Sequence, residues 1–244
     1  MNKAFEKIFE DKKVLIAFVT AGDPDIETTE KLIVAMAEAG ADMVQIGVPF
    51  SDPVAGGPEI QQADERALAA GCTLDNIFDM AARVREKVEI PMIIKSYMNP
   101  IFVYGKTRFM GKCKLSGISG VIVPDLPYEE REELASTSKL HGVARIPVIA
   151  HAAMDRIETV VGDAEGFIIV PSLDNALIKM MKAISPLPCV VALDVPTQQQ
   201  AQEAAAMADG MLIENAIVRL VAQYGKNSIG HVKGYIEKLK ADWA

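Results

Sequence analysis

VLIAFVTAGDPDIETTEKLIVAMAEAGADMVQI, residues 14–46, holds the pattern from which the rest of the chain is read. Residues 14–20 are apolar without polar alternation, as in a strand buried on both faces. A Gly-Asp-Pro-Asp turn follows, with Asp25 placed to cap a helix over 26–39. Ala39-Gly40-Ala41-Asp42 then stops that helix, and a second apolar run begins at Met43. Two strands joined by a crossover helix run parallel.

Outward from this unit the same alternation recurs. Further apolar runs lie at 92–94, 120–123, 144–149, 166–170, 189–193 and 210–213. Helical stretches are predicted at 60–70, 73–87, 107–115, 128–141, 155–161, 174–184, 197–207, 216–224 and 228–239, with an amphipathic segment at 1–10. Eight strands alternating with helices, and no Pro/Ser-rich linker, give an α/β chain with a closed (β/α)8 TIM barrel as its single domain, 1–244. The length of 244 residues agrees with a barrel of about 250. A dinucleotide fingerprint is missing, because the turn after the first strand reads Ala21-Gly22-Asp23-Pro24.

Composition narrows the function. The net charge is −8 and basic residues are scattered among acids, so no nucleic-acid partner is expected. Cys72, Cys113 and Cys189 are far apart and lack metal-ligand spacing, so no metal is expected and free thiols fit a reducing, cytoplasmic compartment. The first ten residues have no apolar signal core, and no apolar run reaches the about 18 residues of a membrane span. No cofactor is expected either.

Barrels of this kind place chemistry at the C-terminal ends of their strands. Those ends carry Thr20 and Asp23, Gln45 with the loop 47–58, then Lys95, Ser96, Tyr97 and Asn99, then Asp125, His151, Ser172, Asp194, and Glu214 with Asn215. Several of these segments resemble the α subunit of tryptophan synthase: Phe18-Val19-Thr20-Ala21-Gly22-Asp23-Pro24, Gly47-Val48-Pro49-Phe50-Ser51-Asp52-Pro53, Tyr97-Met98-Asn99-Pro100 and Val123-Pro124-Asp125-Leu126-Pro127. The resemblance runs nearly end to end. It implies a (β/α)8 barrel that cleaves indole-3-glycerol phosphate to indole and glyceraldehyde 3-phosphate by a retro-aldol step. It also implies a pyridoxal-phosphate β subunit as partner, with Asp52 and Pro53 in the loop that touches it.

The same resemblance implies a catalytic glutamate at the end of strand 2 and a catalytic aspartate just before Gly57-Pro58. This sequence has Gln45 and Gly56 there. An amide does not exchange protons usefully near neutral pH, and glycine has no side chain. The strand 8 end reads Glu214-Asn215 where the family has Gly-Ser in a phosphate cradle, and strand 7 ends at Asp194. Two carboxylates there oppose a dianion. Residues 170–173 (VPSL) pass almost directly into a helix, in place of the family's long lid loop.

Lys95, His151, Asp194 and Glu214 are therefore the candidate catalytic residues, with Phe18, Gln45, Tyr97, Asp125 and Asn215 as candidate substrate contacts. Lys95 has three readings: an ion-pair plug with an acid, a non-covalent or acid/base group, or a Schiff-base amine, which needs a neutral nitrogen. On these residues the leading expectation is a repurposed barrel enzyme, lyase- or aldolase-like, acting on a small non-phosphorylated ligand at the barrel mouth. The alternatives are a catalytically inactive α-like subunit that binds a β-type partner, and a genuine indole-3-glycerol-phosphate lyase.

Overall fold

All seven residues of strand β1 (Val14–Thr20) are buried. The structure, a computed structural model, describes residues 3–10, 12–149 and 157–243. The other strands are β2 (Met43–Gly47), β3 (Met92–Lys95), β4 (Ile118–Ile122), β5 (Ala144–Arg145), β6 (Ile168–Val170), β7 (Cys189–Leu193) and β8 (Gly210–Ile213). They pair in parallel in the order β5-β4-β3-β2-β1-β8-β7-β6. A parallel bridge between Val148 and Ile169 spans the remaining junction, with the Ile149 N–H donating to the Ile169 carbonyl at 2.8 Å. The sheet closes on itself, and the fold is the (β/α)8 barrel that the sequence predicts.

Helices clothe the outside: α1 (Lys3–Phe9), α2 (Ile26–Glu38), α3 (Pro58–Ala69), α4 (Leu74–Lys87), α5 (Met98–Tyr104), α6 (Lys106–Leu115), α7 (Glu132–His141), α8 (Ile157–Gly162), α9 (Asn175–Ile184), α10 (Gln198–Met207), α11 (Asn215–Tyr224) and α12 (Ser228–Trp243). Asp25 caps α2 as predicted, accepting the Thr28 N–H at 2.7 Å. Among the described residues no helix is long and apolar enough to cross a membrane.

Successive strand residues face opposite sides, so each strand feeds two cores. Val14, Ile16, Phe18, Met43, Ile93, Ile122, Ile146, Phe167, Ile169, Val190 and Leu212 fill the interior. Leu15, Ala17, Val19, Val44, Ile94, Val121, Val191 and Met211 pack outward against the helices. Phe5 of α1 closes the lower end, edge-on to Phe167 with ring centres 5.6 Å apart.

The structure corrects three boundaries. The fifth strand, expected over 144–149, ends at Arg145, because Pro147 has no N–H to continue the ladder. Helix α5 was not expected; Asp125 satisfies its first turn, accepting the Met98 N–H at 2.9 and 3.0 Å. The helix expected over 128–141 is a 3-10 turn at Tyr128–Glu130 followed by α7.

Asp42, with a side chain 6 % exposed, ties the lower rim together. Its carboxylate accepts the Leu15 N–H at 2.8 Å, pairs with Lys12 at 2.6 Å, and also binds Lys240 of α12. Asp42→Ala orphans a backbone donor as well as breaking two ion pairs. The expected outcome is a loss of about 2–3 kcal/mol, measured as a lower urea midpoint with an unchanged slope.

Candidate active site

The alternation that builds the interior also builds the mouth. Ile16 and Phe18, Met43 and Ile93, and Leu212 all point inward. The next inward positions up β2, β3, β7 and β8 are therefore Gln45, Lys95, Asp194 and Glu214. With Asn215 they line a cavity of about 260 Å³.

Glu214 is the hub. Its Oε1 accepts from Gln45 Nε2 at 2.9 Å and from Lys95 Nζ at 2.9 Å. The Lys95 and Glu214 side chains are only 15 % and 16 % exposed. Lys95 Nζ lies 5.5 Å from the centre of the Phe18 ring. Gly47 makes that ring position possible, since a Cβ there would lie 2.6 Å from Phe18 Cζ. Asn215 Nδ2 donates to Asp194 at 3.0 Å. The side-chain carbonyls of Gln45 and Asn215 are buried without a donor among the described residues. The mouth thus holds one ion pair, a second carboxylate, and two buried acceptors without donors among the described residues.

The remaining candidates lie elsewhere. Tyr97 is buried, its hydroxyl donating to the Ala55 carbonyl and accepting the Ala55 N–H at 3.2 Å, with its ring 5.2 Å from Phe50. It clasps the loop after β2, and burial pushes its hydroxyl above the usual phenol range. Asp125 is engaged with the first turn of α5. Asp52 is exposed and Pro53 half-buried on the loop after β2. His151 lies outside the described residues. Among those described, no cluster of His, Cys, Asp or Glu is arranged to hold a metal ion.

Sequence reasoning missed Asp64. It shares the buried stripe of α3 with Ile60, Ala63 and Ala67. An acid in such a stripe was the available signal. Burial pushes its carboxyl up to about 7, against the opposing pull of the Phe50 N–H and the Lys95 cation. Asp23, also buried, is held by Arg66 through two bonds of 2.8 Å.

The tryptophan synthase alpha chain family model matches residues 5–242. The chain belongs to this family. It is 37 % identical to the tryptophan synthase alpha chain of Alkaliphilus metalliredigens, covering 94 % of this chain and 92 % of the relative. With the corresponding chain of Geobacter sulfurreducens it shares 39 %, over 90 % and 88 %. Tryptophan synthase subunit alpha of Legionella pneumophila superposes with a TM-score of 0.91 at 30 % identity, covering 100 % of this chain and 98 % of that one. A chain of the Pyrococcus furiosus tryptophan synthase complex gives 0.89 at 28 %, covering 94 % and 99 %.

The Asp64 carboxyl sets a pH test. Its ordinary value is 3.8, and the folded value is about 7. Between the two the folded chain keeps a proton that the unfolded chain releases. The stability this group contributes is full below pH 4 and is lost as the pH rises to 7. Asp64→Asn removes that slope. Above pH 7 it raises stability by on the order of 3 kcal/mol relative to the parent, read from denaturant midpoints at pH 5 and pH 8.

Proposed function

We propose that the chain is an α-type lyase that cleaves indole-3-glycerol phosphate to indole and glyceraldehyde 3-phosphate, with its proton transfers carried by Lys95 and Glu214. The observation that carries this reading is the Glu214 carboxylate, 2.9 Å from the Gln45 amide. The family resemblance implies a carboxylate at position 45, and here one reaches the same place from β8. A match along nearly the whole chain supports retention of the reaction over reassignment to another substrate.

The chemistry balances within the pair. The Lys95 ammonium gives a proton to C3 of the indole ring, making the ring an electron sink. Glu214 takes the proton of the hydroxyl on the adjacent carbon. The C–C bond breaks, its electrons restore the aromatic ring, and the hydroxyl carbon becomes the aldehyde. Lys95 is then neutral and Glu214 protonated. One transfer across 2.9 Å resets both. A Schiff base fits less well, because a lysine bound to a carboxylate is an ammonium without a lone pair.

The scheme needs no cofactor and no nucleic acid. It is consistent with a single-domain cytoplasmic enzyme that hands indole to a β-type subunit, with Asp52 and Pro53 on the exposed loop as the docking contacts. A second reading rests on Asp194. With Glu214 it sets two carboxylates against one cation, which favours an indolyl-glycerol substrate lacking the phosphate.

Both readings are decided by assaying indole release from phosphorylated and unphosphorylated indolyl-glycerol. Glu214→Gln and Lys95→Met are each expected to lower kcat by about 10²–10⁴-fold with the fold intact. Asp194→Asn is expected to improve kcat/KM for the phosphorylated substrate by about tenfold and to leave the unphosphorylated one unchanged. A parent chain that releases no indole from either, yet binds a β subunit, is a non-catalytic α-like subunit and overturns the lyase.

A further inference from the structure

On the outer side of the sheet, beside the mouth, β4, β5, α7 and α8 enclose another cavity of about 290 Å³. Val121 of β4, Val123 just beyond its end, Leu134 of α7 and Val160 of α8 give it aliphatic walls. Two guanidinium groups reach it, and they differ in what they already hold. Arg131 Nε is 2.9 Å from Asp163, and its guanidinium lies 4.0 Å from the centre of the Tyr128 ring. Asp163 also accepts the Tyr128 hydroxyl at 2.8 Å, so that acid and that cation are committed to each other.

Among the described residues Arg145 makes no ion pair, although its charge acts at longer range on the Asp163 carboxylate. Its side chain makes one long contact, to the Arg131 carbonyl at 3.4 Å, and its Nε is buried without an acceptor among the described residues. The nearby Glu165 carboxylate accepts the Arg145 backbone N–H at 3.2 Å, not the guanidinium. A guanidinium presents donors in a flat fork that matches a carboxylate, and a buried donor left unmade is costly. The chamber therefore combines an unfilled anion contact with an apolar enclosure of small-molecule size.

We propose that this chamber binds a small apolar carboxylate, an aryl- or alkyl-acetate whose carboxylate pairs with Arg145 while its body fills the aliphatic walls. Ile122, Pro124 and Val148 line both this chamber and the mouth. An occupant thus touches the far side of the wall that substrate would touch, and the site is placed to adjust substrate affinity. The binding claim does not depend on the lyase reading, because it is tested without turnover.

The test is calorimetric titration of the full chain with phenylacetate and with phenylacetamide. Saturable binding of the acid is expected at about millimolar concentrations, and the neutral amide binds at least about tenfold more weakly. That comparison uses the unmodified protein, so a folding defect cannot imitate it. Arg145→Met weakens the acid by about tenfold or more. Val160→Phe, which fills the chamber, abolishes its binding, whereas Lys95→Met leaves it unchanged. No saturation up to about 10 mM, equal binding of acid and amide, or loss on Lys95→Met without loss on Arg145→Met would each overturn the proposal.

Discussion

One carboxylate oxygen, Glu214 Oε1, holds the mouth together by accepting from a lysine and an amide on two other strands. A charge at this depth needs a partner, and Lys95 supplies it. The amide at position 45 follows from the same constraint. A glutamate there would set a second carboxylate about 3 Å from the first, and one of the two would have to keep a proton. Gln45 gives the N–H that Glu214 needs instead. On the sequence, Gln45 and Glu214 count as two separate departures from the family pattern. In the barrel they are two ends of one hydrogen bond, so a change at either position alone would strand the other.

What lies beneath makes the pair strong. Phe18 sits under Lys95, and Gly47 leaves room for that ring. Below them the interior is aliphatic down to Phe5 and Phe167. Such a floor excludes water, and the attraction between opposite charges rises as the local dielectric falls. The charge of Lys95 also acts on the buried Asp64. The lysine is thus the positive centre of an otherwise acidic group of side chains, which accounts for its tolerance at the end of an aliphatic strand.

The parts of this arrangement that depend on period were legible in the sequence. Runs such as 14–20 and 189–193 marked strands, and the C-terminal ends of those strands carried Gln45, Lys95, Asp194 and Glu214 to one end of the barrel. Partnerships were not legible, because they join residues far apart in the chain. Asp125 and Tyr97 have side chains suited to substrate binding, yet the structure engages them with the backbone of α5 and of the loop after β2. Helix α5 was hidden for the same reason, since its N-terminal support comes from Asp125 on another loop. The shortened fifth strand, by contrast, was readable from Pro147, whose missing N–H is a local fact.

The end of β8 shows how the ion pair reaches into substrate recognition. Glu214 stands at the N-cap of α11, where an acid commonly accepts from the helix's own first turn. No such bond forms; the side chain turns inward to Lys95, and the Ala216 N–H is taken by the Asp194 carbonyl at 2.9 Å. The positive end of α11 would favour an anion, but two carboxylates flank it and one cation is shared. In the retro-aldol scheme Glu214 gains a proton as Lys95 gives one up, so the pair is neutral overall before cleavage and after it. Asp194 is then the charge that neither state of the pair offsets, and it is this carboxylate, rather than the pair, that opposes an anionic group at the positive end of α11.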